Sequence, residues 1–315
     1  SHETSRLFVI VYFLVTVQSS ESKSSGPVLL CYHVDIMLCV SDFPWHAPPW
    51  HRGTAKYRLG LRPIPVKQWF QGVPSLQLRV HKYGLLRRRY TQVVQSIPDT
   101  EVPQQLLADQ MQQHGWYEPK QVTRPTFTDL IANLSLQVAD DLCLMETGGK
   151  QRLIAACVCS PSYWNVQQKI GLSMAAIHRP VTSLQTKIGG QIQRFIQQAP
   201  LMIPFERSNW FVHGDRERLH LSAESNITGT PGQWFLRSER ETLCRFSDGF
   251  LLFTINVRFA PLRDIAQHPE ALADLMTSLA HLDTNEIDYF GGNDKFHRLC
   301  DYLSTLQSSG TARSA

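Results

Sequence analysis

QWFLRSERETLCRFSDGFLLFTINVRFAPL, residues 233–262, carries a strong strand signal together with charges that a buried strand does not ordinarily hold. From Gly249 onward Phe253, Ile255, Val257 and Phe259 fall on one side and Thr254, Asn256 and Arg258 on the other, the alternation of a half-buried strand. Ser247-Asp248-Gly249 is turn chemistry, because Gly accepts positive φ freely and Asp tolerates it. Residues 236–246 therefore read as the returning arm of a hairpin. With Asp248 and Gly249 as the two loop residues, Glu239 comes opposite Arg258, Glu241 opposite Asn256 and Leu243 opposite Thr254. One face of this ribbon is then apolar, and the other carries Arg237, Glu239, Glu241, Asn256 and Arg258.

The pattern leaves three accounts of that polar face open. It is a solvated sheet surface with weak cross-strand ion pairs. Alternatively, Ser238 to Glu241 form a capping box (S-x-x-E) that opens a short helix and cancels the register. Or it is a polarised pocket wall, where a carboxylate between arginines binds or deprotonates a small substrate.

At 315 residues the chain is long enough to bury a full core, and its 43% hydrophobic and 18% charged content is that of an ordinary globular protein. The net charge of +4 is modest, and outside Arg87-Arg88-Arg89 the basic residues are dispersed, which argues against nucleic acid as a partner. The 7 cysteines are an odd number spread through apolar contexts, the usage of reduced thiols in a cytoplasmic protein, and Cys157 and Cys159 read as buried small hydrophobes. No C-x-x-C, P-loop, G-x-G-x-x-G, G-x-S-x-G or H-E-x-x-H occurs. A redox enzyme of this sequence would need its electrons delivered by another protein.

Along the chain, the apolar run at residues 7–17 is too short to span a bilayer comfortably and reads as a signal-peptide core or a core strand. A genuine signal or anchor there would make the protein exported or membrane-tethered rather than cytoplasmic. Residues 1–42 are accordingly set apart as an unassigned extension, 43–306 as the domain and 307–315 as a disordered tail. Helical spacing marks residues 82–95, 102–114, 125–138, 163–174, 185–198, 269–282 and 293–306. Residues 141–145 and 152–159 read as a hairpin about Gly148-Gly149, and 207–213 as the start of another strand region. The sum is α+β: an antiparallel sheet with flanking helices and a helical N-terminal part.

Among the 12 histidines His178 stands apart, since it lies between apolar residues 172–177 and Arg179-Pro180, which must stop a helix. An imidazole at such a junction is placed to ligate a haem iron, or is a core histidine bonded to backbone. His46, His51, His213 and His220 sit in polar or loop contexts and read as surface residues.

The ribbon, with DDLCLME at 140–146, RLIAACVCSPSYWNVQQKIGLSMAAIHRPV at 152–181, RSNW at 207–210 and LGLRPI at 59–64, resembles the haem-dependent oxidative N-demethylase alpha-subunit family. The motifs occur in family order, although the family pattern has Gln where this chain has Glu241. The resemblance implies a PAS-like domain holding haem b non-covalently. It also implies oxidation of a small secondary amine such as dimethylamine with O₂, giving methylamine and formaldehyde. Electrons would come from NADPH through FMN and 2Fe-2S centres on partner subunits. It makes His178 the axial ligand and Glu239 and Arg240, with Arg237 nearby, the amine and oxygen pocket, to which the register adds Arg258. The register allows one set only, Arg237/Glu239/Arg258 or Arg240/Thr242, to line that pocket. Arg207 and Asn209 would brace the haem propionates or cap their strand. A haem-binding PAS-type gas or redox sensor without catalysis, and an interaction domain that has lost the cofactor, are the alternatives.

Overall fold

The ribbon forms where the alternation places it. In the computed structural model, which describes residues 43–118, 127–179, 182–222 and 227–311, β6 (Phe235–Ser247) and β7 (Phe250–Pro261) are joined by Asp248 and Gly249. Gly249 sits at φ 84°, a conformation that costs glycine nothing. Ser238 to Glu241 lie mid-strand, so the capping-box helix is excluded. Ser247 pairs with Phe250 as the turn requires, but Arg245 already pairs with Leu251, so Phe246 is an extra residue in a β-bulge.

That bulge corrects the expected register by one. Ser238 faces Arg258, Glu239 faces Val257, Arg240 faces Asn256 and Glu241 faces Ile255. Because side chains alternate with a period of 2, a one-residue slip exchanges faces between partners. Arg237, Glu239 and Glu241 therefore share a face with the apolar Ile255, Val257 and Phe259, called here the front. Arg240, Thr242, Asn256 and Arg258 share the back, where the Thr242 and Thr254 hydroxyls meet at 2.6 Å.

Among the described residues the sheet has 7 strands in the order β1-β5-β6-β7-β3-β4-β2, and each of these pairings is antiparallel. β5 (Phe205–His213) lies on β6, the hairpin β3 (Asp141–Glu146) and β4 (Leu153–Cys157) lies on β7, and β1 (Arg62–Pro63) and β2 (Val94–Ser96) close the edges. Edge strands this short offer little backbone for another chain to pair with. The fold is α+β, an open antiparallel sheet with flanking helices.

On the back, α1 (Leu76–Arg88), α3 (Glu101–Gln113) and α4 (Leu130–Ser135) bury Leu142, Leu144, Ala155, Cys157 and Leu252. α7 (Pro269–Ala280) and α9 (Gly292–Thr311) bury Trp210, Val212, Leu236 and Ala260 toward the far end of the same face. On the front, α5 (Met174–His178) and α6 (Thr182–Gln198) pack over Cys143, Met145, Ala156 and Val158.

Several elements depart from periodicity. The helix expected over 82–95 stops at Arg88, and after the single turn α2 (Tyr90–Val93) the chain becomes β2, where Gln95 pairs with Ala156. Within 163–173 only Val166–Gln168 is helical, as a 3₁₀ turn, because Ser173 is drawn into a bridge with Arg152 and its hydroxyl accepts from the Ala176 N–H at 3.3 Å to cap α5. An extra helix, α8 (Thr284–Phe290), opens on a reciprocal Asp283 and Glu286 capping box. The last helix runs past 306 to Thr311. Cys143, Cys157 and Cys159 are buried free thiols. Among the described residues no helix is long and apolar enough to cross a membrane. The readings made of residues 1–42, including the apolar run at 7–17, and of 119–126, 180–181, 223–226 and 312–315 lie outside the described residues.

Candidate active site

The front of β5 and β6 carries a buried charged network. Arg237 is 0% exposed, Glu239 6% and Glu241 6%. Arg237 donates from Nε to Glu239 Oε1 at 2.9 Å, and its other nitrogens reach the Arg218 carbonyl at 3.4 Å and the Ser160 carbonyl. Asn209, opposite Glu239 on β5, donates from Nδ2 to Glu239 Oε2 at 3.1 Å. Both oxygens of Glu239 are thus engaged. Glu241 is held more loosely, by an ion pair with Arg207 Nη1 at 3.3 Å. Lys56, from the strap preceding β1, completes the network: its Nζ donates to Asn209 Oδ1 at 2.8 Å and to the Trp210 carbonyl, and stands 3.9 Å from the centre of the Phe211 ring.

Burial dominates the titration of these groups. It raises the Glu241 pKa, a rise that Arg207 opposes, the Glu239 charge adds to, and Lys56 and Asn209 reduce. It lowers Lys56 to about 7 against the pull of Glu239 and Glu241, with Arg207 and Lys295 pushing the same way as burial. Tyr289 is pushed up to about 12 by burial and then by the Glu239 charge.

His178 stands at the C-terminal end of α5, on the helical layer that covers the same face. Its Nδ1 lies 3.1 Å from the Met174 carbonyl, which can only accept, so Nδ1 carries the proton and Nε2 presents a lone pair. Burial lowers its pKa to about 4, the Met174 bond acts the other way, and Arg207 and Lys169 lower it further. The imidazole is therefore neutral at ordinary pH, the form that ligates a metal.

Two observations on this face point to room for a bound group. Phe253 and Ile255 keep partial exposure although β7 is a central strand under a helical layer. Arg207 Nε and the Tyr57 hydroxyl are buried without a hydrogen-bond partner, and Tyr57 packs on Ile188 of α6. Orphaned donors beside apolar side chains are what a bound group with polar edges would satisfy. A neutral imidazole with a free Nε2, apolar walls and unpaired donors fit a haem.

A family model described as haem-dependent oxidative N-demethylase, alpha subunit-like, matches residues 82–299. The chain belongs to this family. No curated protein matches it. The matched span of the demethylase-like alpha-subunit family takes in His178, Arg207, Asn209 and the whole of β6 and β7, and leaves out Lys56 and the 59–64 motif.

The expected pocket residues divide between the faces of the sheet. Arg237 and Glu239 are on the front with Arg207 and Asn209. Arg258 is moved to the back by the bulge, where it donates to Gln71 Oε1. Arg240 is also on the back, tied to Glu206, to the Trp69 carbonyl at 3.1 Å and to the Gln68 carbonyl at 2.6 Å. Neither shares a face with Glu239, and the front set is Arg237 and Glu239 without Arg258. Asn209 has both ends of its amide engaged by Lys56 and Glu239, which leaves Arg207 as the member of its pair with donor capacity to spare. His213 is not at the surface: it is fully buried at the end of β5, 3.0 Å from the Ser162 hydroxyl. Lys56 went unnoticed in the sequence because GTAKYRLG is an ordinary polar connection and a lysine there is usually solvated.

Proposed function

We propose that the chain is the haem-binding oxidoreductase subunit of an oxidative N-demethylase. On this reading a PAS-like sheet would hold haem b in the front cleft, with His178 Nε2 as the donor to its iron. The substrate is a small secondary amine of the dimethylamine kind, O₂ is the oxidant, and a partner reductase subunit bearing FMN and 2Fe-2S centres passes electrons from NADPH. The observation that carries it is the His178 imidazole, fixed through Nδ1 and open at Nε2, over a buried charged network. Haem bound there supplies one-electron and oxygen chemistry, and the residues around it supply binding and proton handling.

The amine arrives as a cation and must lose its proton before it is oxidised. Glu239, with both oxygens taken by Arg237 and Asn209, is a fixed negative charge behind the site. Glu241, one residue pair further along the front and held by Arg207 and Asn209, meets the ammonium. Its raised pKa suits it to accept that proton, since a base works best with a pKa near the working pH. Arg207 both restrains Glu241 and keeps an unpaired donor for a negative group in the cleft. Ile255, opposite Glu241, supplies an apolar contact for N-methyl groups.

The purified chain, loaded with haem, is expected to show a Soret band that His178→Ala abolishes while the far-ultraviolet circular dichroism is kept. With a reductase supplied, dimethylamine should drive NADPH consumption and formaldehyde release. Glu239→Gln should keep the Soret band and lose turnover, because the fixed carboxylate behind the site goes with it, and Glu241→Gln, which restores the residue of the family pattern, should keep the Soret band and lose up to roughly 10²–10⁴-fold if the carboxylate of this chain is its base. Haem binding with no turnover of any secondary amine would replace this reading with a gas or redox sensor. A colourless protein after reconstitution would remove haem altogether.

A further inference from the structure

We propose that Lys56 is a positioning residue of the amine site, one that fixes Asn209 and Glu239 and gives up its proton when a cationic amine binds beside Glu241. This rests on the reading of the front cleft as an amine site. The geometry begins with the amide of Asn209, which accepts from Lys56 Nζ at 2.8 Å and donates to Glu239 Oε2 at 3.1 Å. An amide can be turned end for end, and here the carboxylate, which can only accept, and the ammonium, which can only donate, both require the orientation that aims Nδ2 at Glu239. Lys56 thus anchors the far end of the amide that holds Glu239.

The charge of Lys56 matters as much as its position. The residue is 4% exposed, its Nζ against the Phe211 face and 5.4 Å from the centre of the Tyr57 ring. Glu239 and Glu241 face it with negative charge, Arg207 and Lys295 with positive, and burial tips the balance toward the neutral amine near pH 7. Arg207, Arg237 and Lys295 already outnumber Glu239 and Glu241, and a charged Lys56 widens that excess. A secondary ammonium entering beside Glu241 adds a further positive charge where little solvent screens it, and like charges there disfavour each other far more than in water. The proton that leaves is the one on Lys56: R₂NH₂⁺ binds, Lys56–NH₃⁺ becomes Lys56–NH₂, and H⁺ passes to buffer. No bond to carbon or oxygen changes in this step, so it needs no co-reactant.

Calorimetric titration of dimethylammonium chloride into the haem-loaded full chain, in paired buffers of different ionisation heat, counts protons released per amine bound. Wild type is expected to release a fraction of a proton in mildly acidic to neutral buffer and none in alkaline buffer, where Lys56 is already neutral. Affinity should rise as pH rises through the same range. Lys56→Met, which keeps the length of the stem, is expected to bind with no release and no such rise. Lys56→Arg, a permanent cation, should release nothing and bind about tenfold more weakly, a loss of about 1.4 kcal/mol. Equal heats in the paired wild-type buffers would overturn the proposal without any variant. So would a release that survives in Lys56→Met, which would belong to Glu241. In both cases amine binding itself would still stand. Wild type that binds no dimethylammonium at all would sink this role and the amine site together.

Discussion

Arg237 and Glu239, two residues apart on β6, point the same way and meet at 2.9 Å with side chains 0% and 7% exposed. Such a pair is costly to bury and more costly to break, because the survivor is left as a lone charge in a medium of low polarisability. Arg237→Leu is therefore expected to lower stability by about 3–5 kcal/mol. The double change Arg237→Leu/Glu239→Leu should recover most of that loss. Urea unfolding of the two variants beside wild type tests this, and a double variant as unstable as the single one would show that packing around Arg237, not its charge, is what matters.

Arg240 separates the two faces of the sheet. Arg240→Met removes charged bonds to Glu206 and to the Gln68 and Trp69 carbonyls, each worth about 1.5–3 kcal/mol. Stability should fall, while amine-dependent formaldehyde release per folded, haem-loaded molecule should stay within about twofold of wild type, the effect of well under 1 kcal/mol on the barrier. A large fall in turnover with an unchanged melting temperature would return Arg240 to the pocket.

His213 gives the protein an acid-sensitive limb. Burial is the first cause of its strongly lowered pKa, and Arg237, His220, Lys295 and Lys56 add to it. The native chain therefore holds this imidazole neutral, whereas the unfolded chain takes up a proton near pH ~6.5. Below that pH the unfolded state binds more protons, so stability falls as pH falls. His213→Gln, which preserves an acceptor for Ser162, is expected to flatten this limb in melting temperatures measured across mildly acidic buffers. An acid limb as steep as that of wild type would assign it to other groups.

Gly249 closes the ribbon at φ 84°, with nothing within 4 Å of where a Cβ would stand. The cost of Gly249→Ala is then backbone strain alone, about 1 kcal/mol. Chemical denaturation should show a loss of that size with no change in the Soret band.

Much of this architecture was legible in residue patterns. The turn at Asp248-Gly249, the hairpin about Gly148-Gly149 and the amphipathic α3, α6 and α7 follow from local chemistry that the tertiary fold reinforces. The bulge was not legible. Phe246 is apolar in an alternating strand, and nothing local says that it is counted twice on one side of a pairing. Arg258 was misplaced for that reason, and Glu241 was set opposite Asn256 instead of Ile255. β2 was hidden because Val94 to Ser96 continue a helical stripe, and only the free edge of β4 makes them a strand. At the proposed site, His178 was singled out by the chain stop that follows it. Lys56 was not, since its importance comes from where the strap lays it down and not from any neighbour in sequence.

The doubled residue at Phe246 also says something about how this ribbon tolerates change. Replacement of that phenylalanine by another bulky side chain leaves the count of positions from the turn to Glu241 intact, and with it the inward aim of every charge beyond. Loss of Phe246 would leave Arg245 facing Leu251 and Glu239 facing Val257, because it is the residue not counted in the pairing, whereas one residue gained between Thr242 and Arg245 would turn Arg237, Glu239 and Glu241 from the front and present Arg240 and Thr242 in their place. Spacing at that point, more than composition, keeps the two sides of the strand in their separate trades.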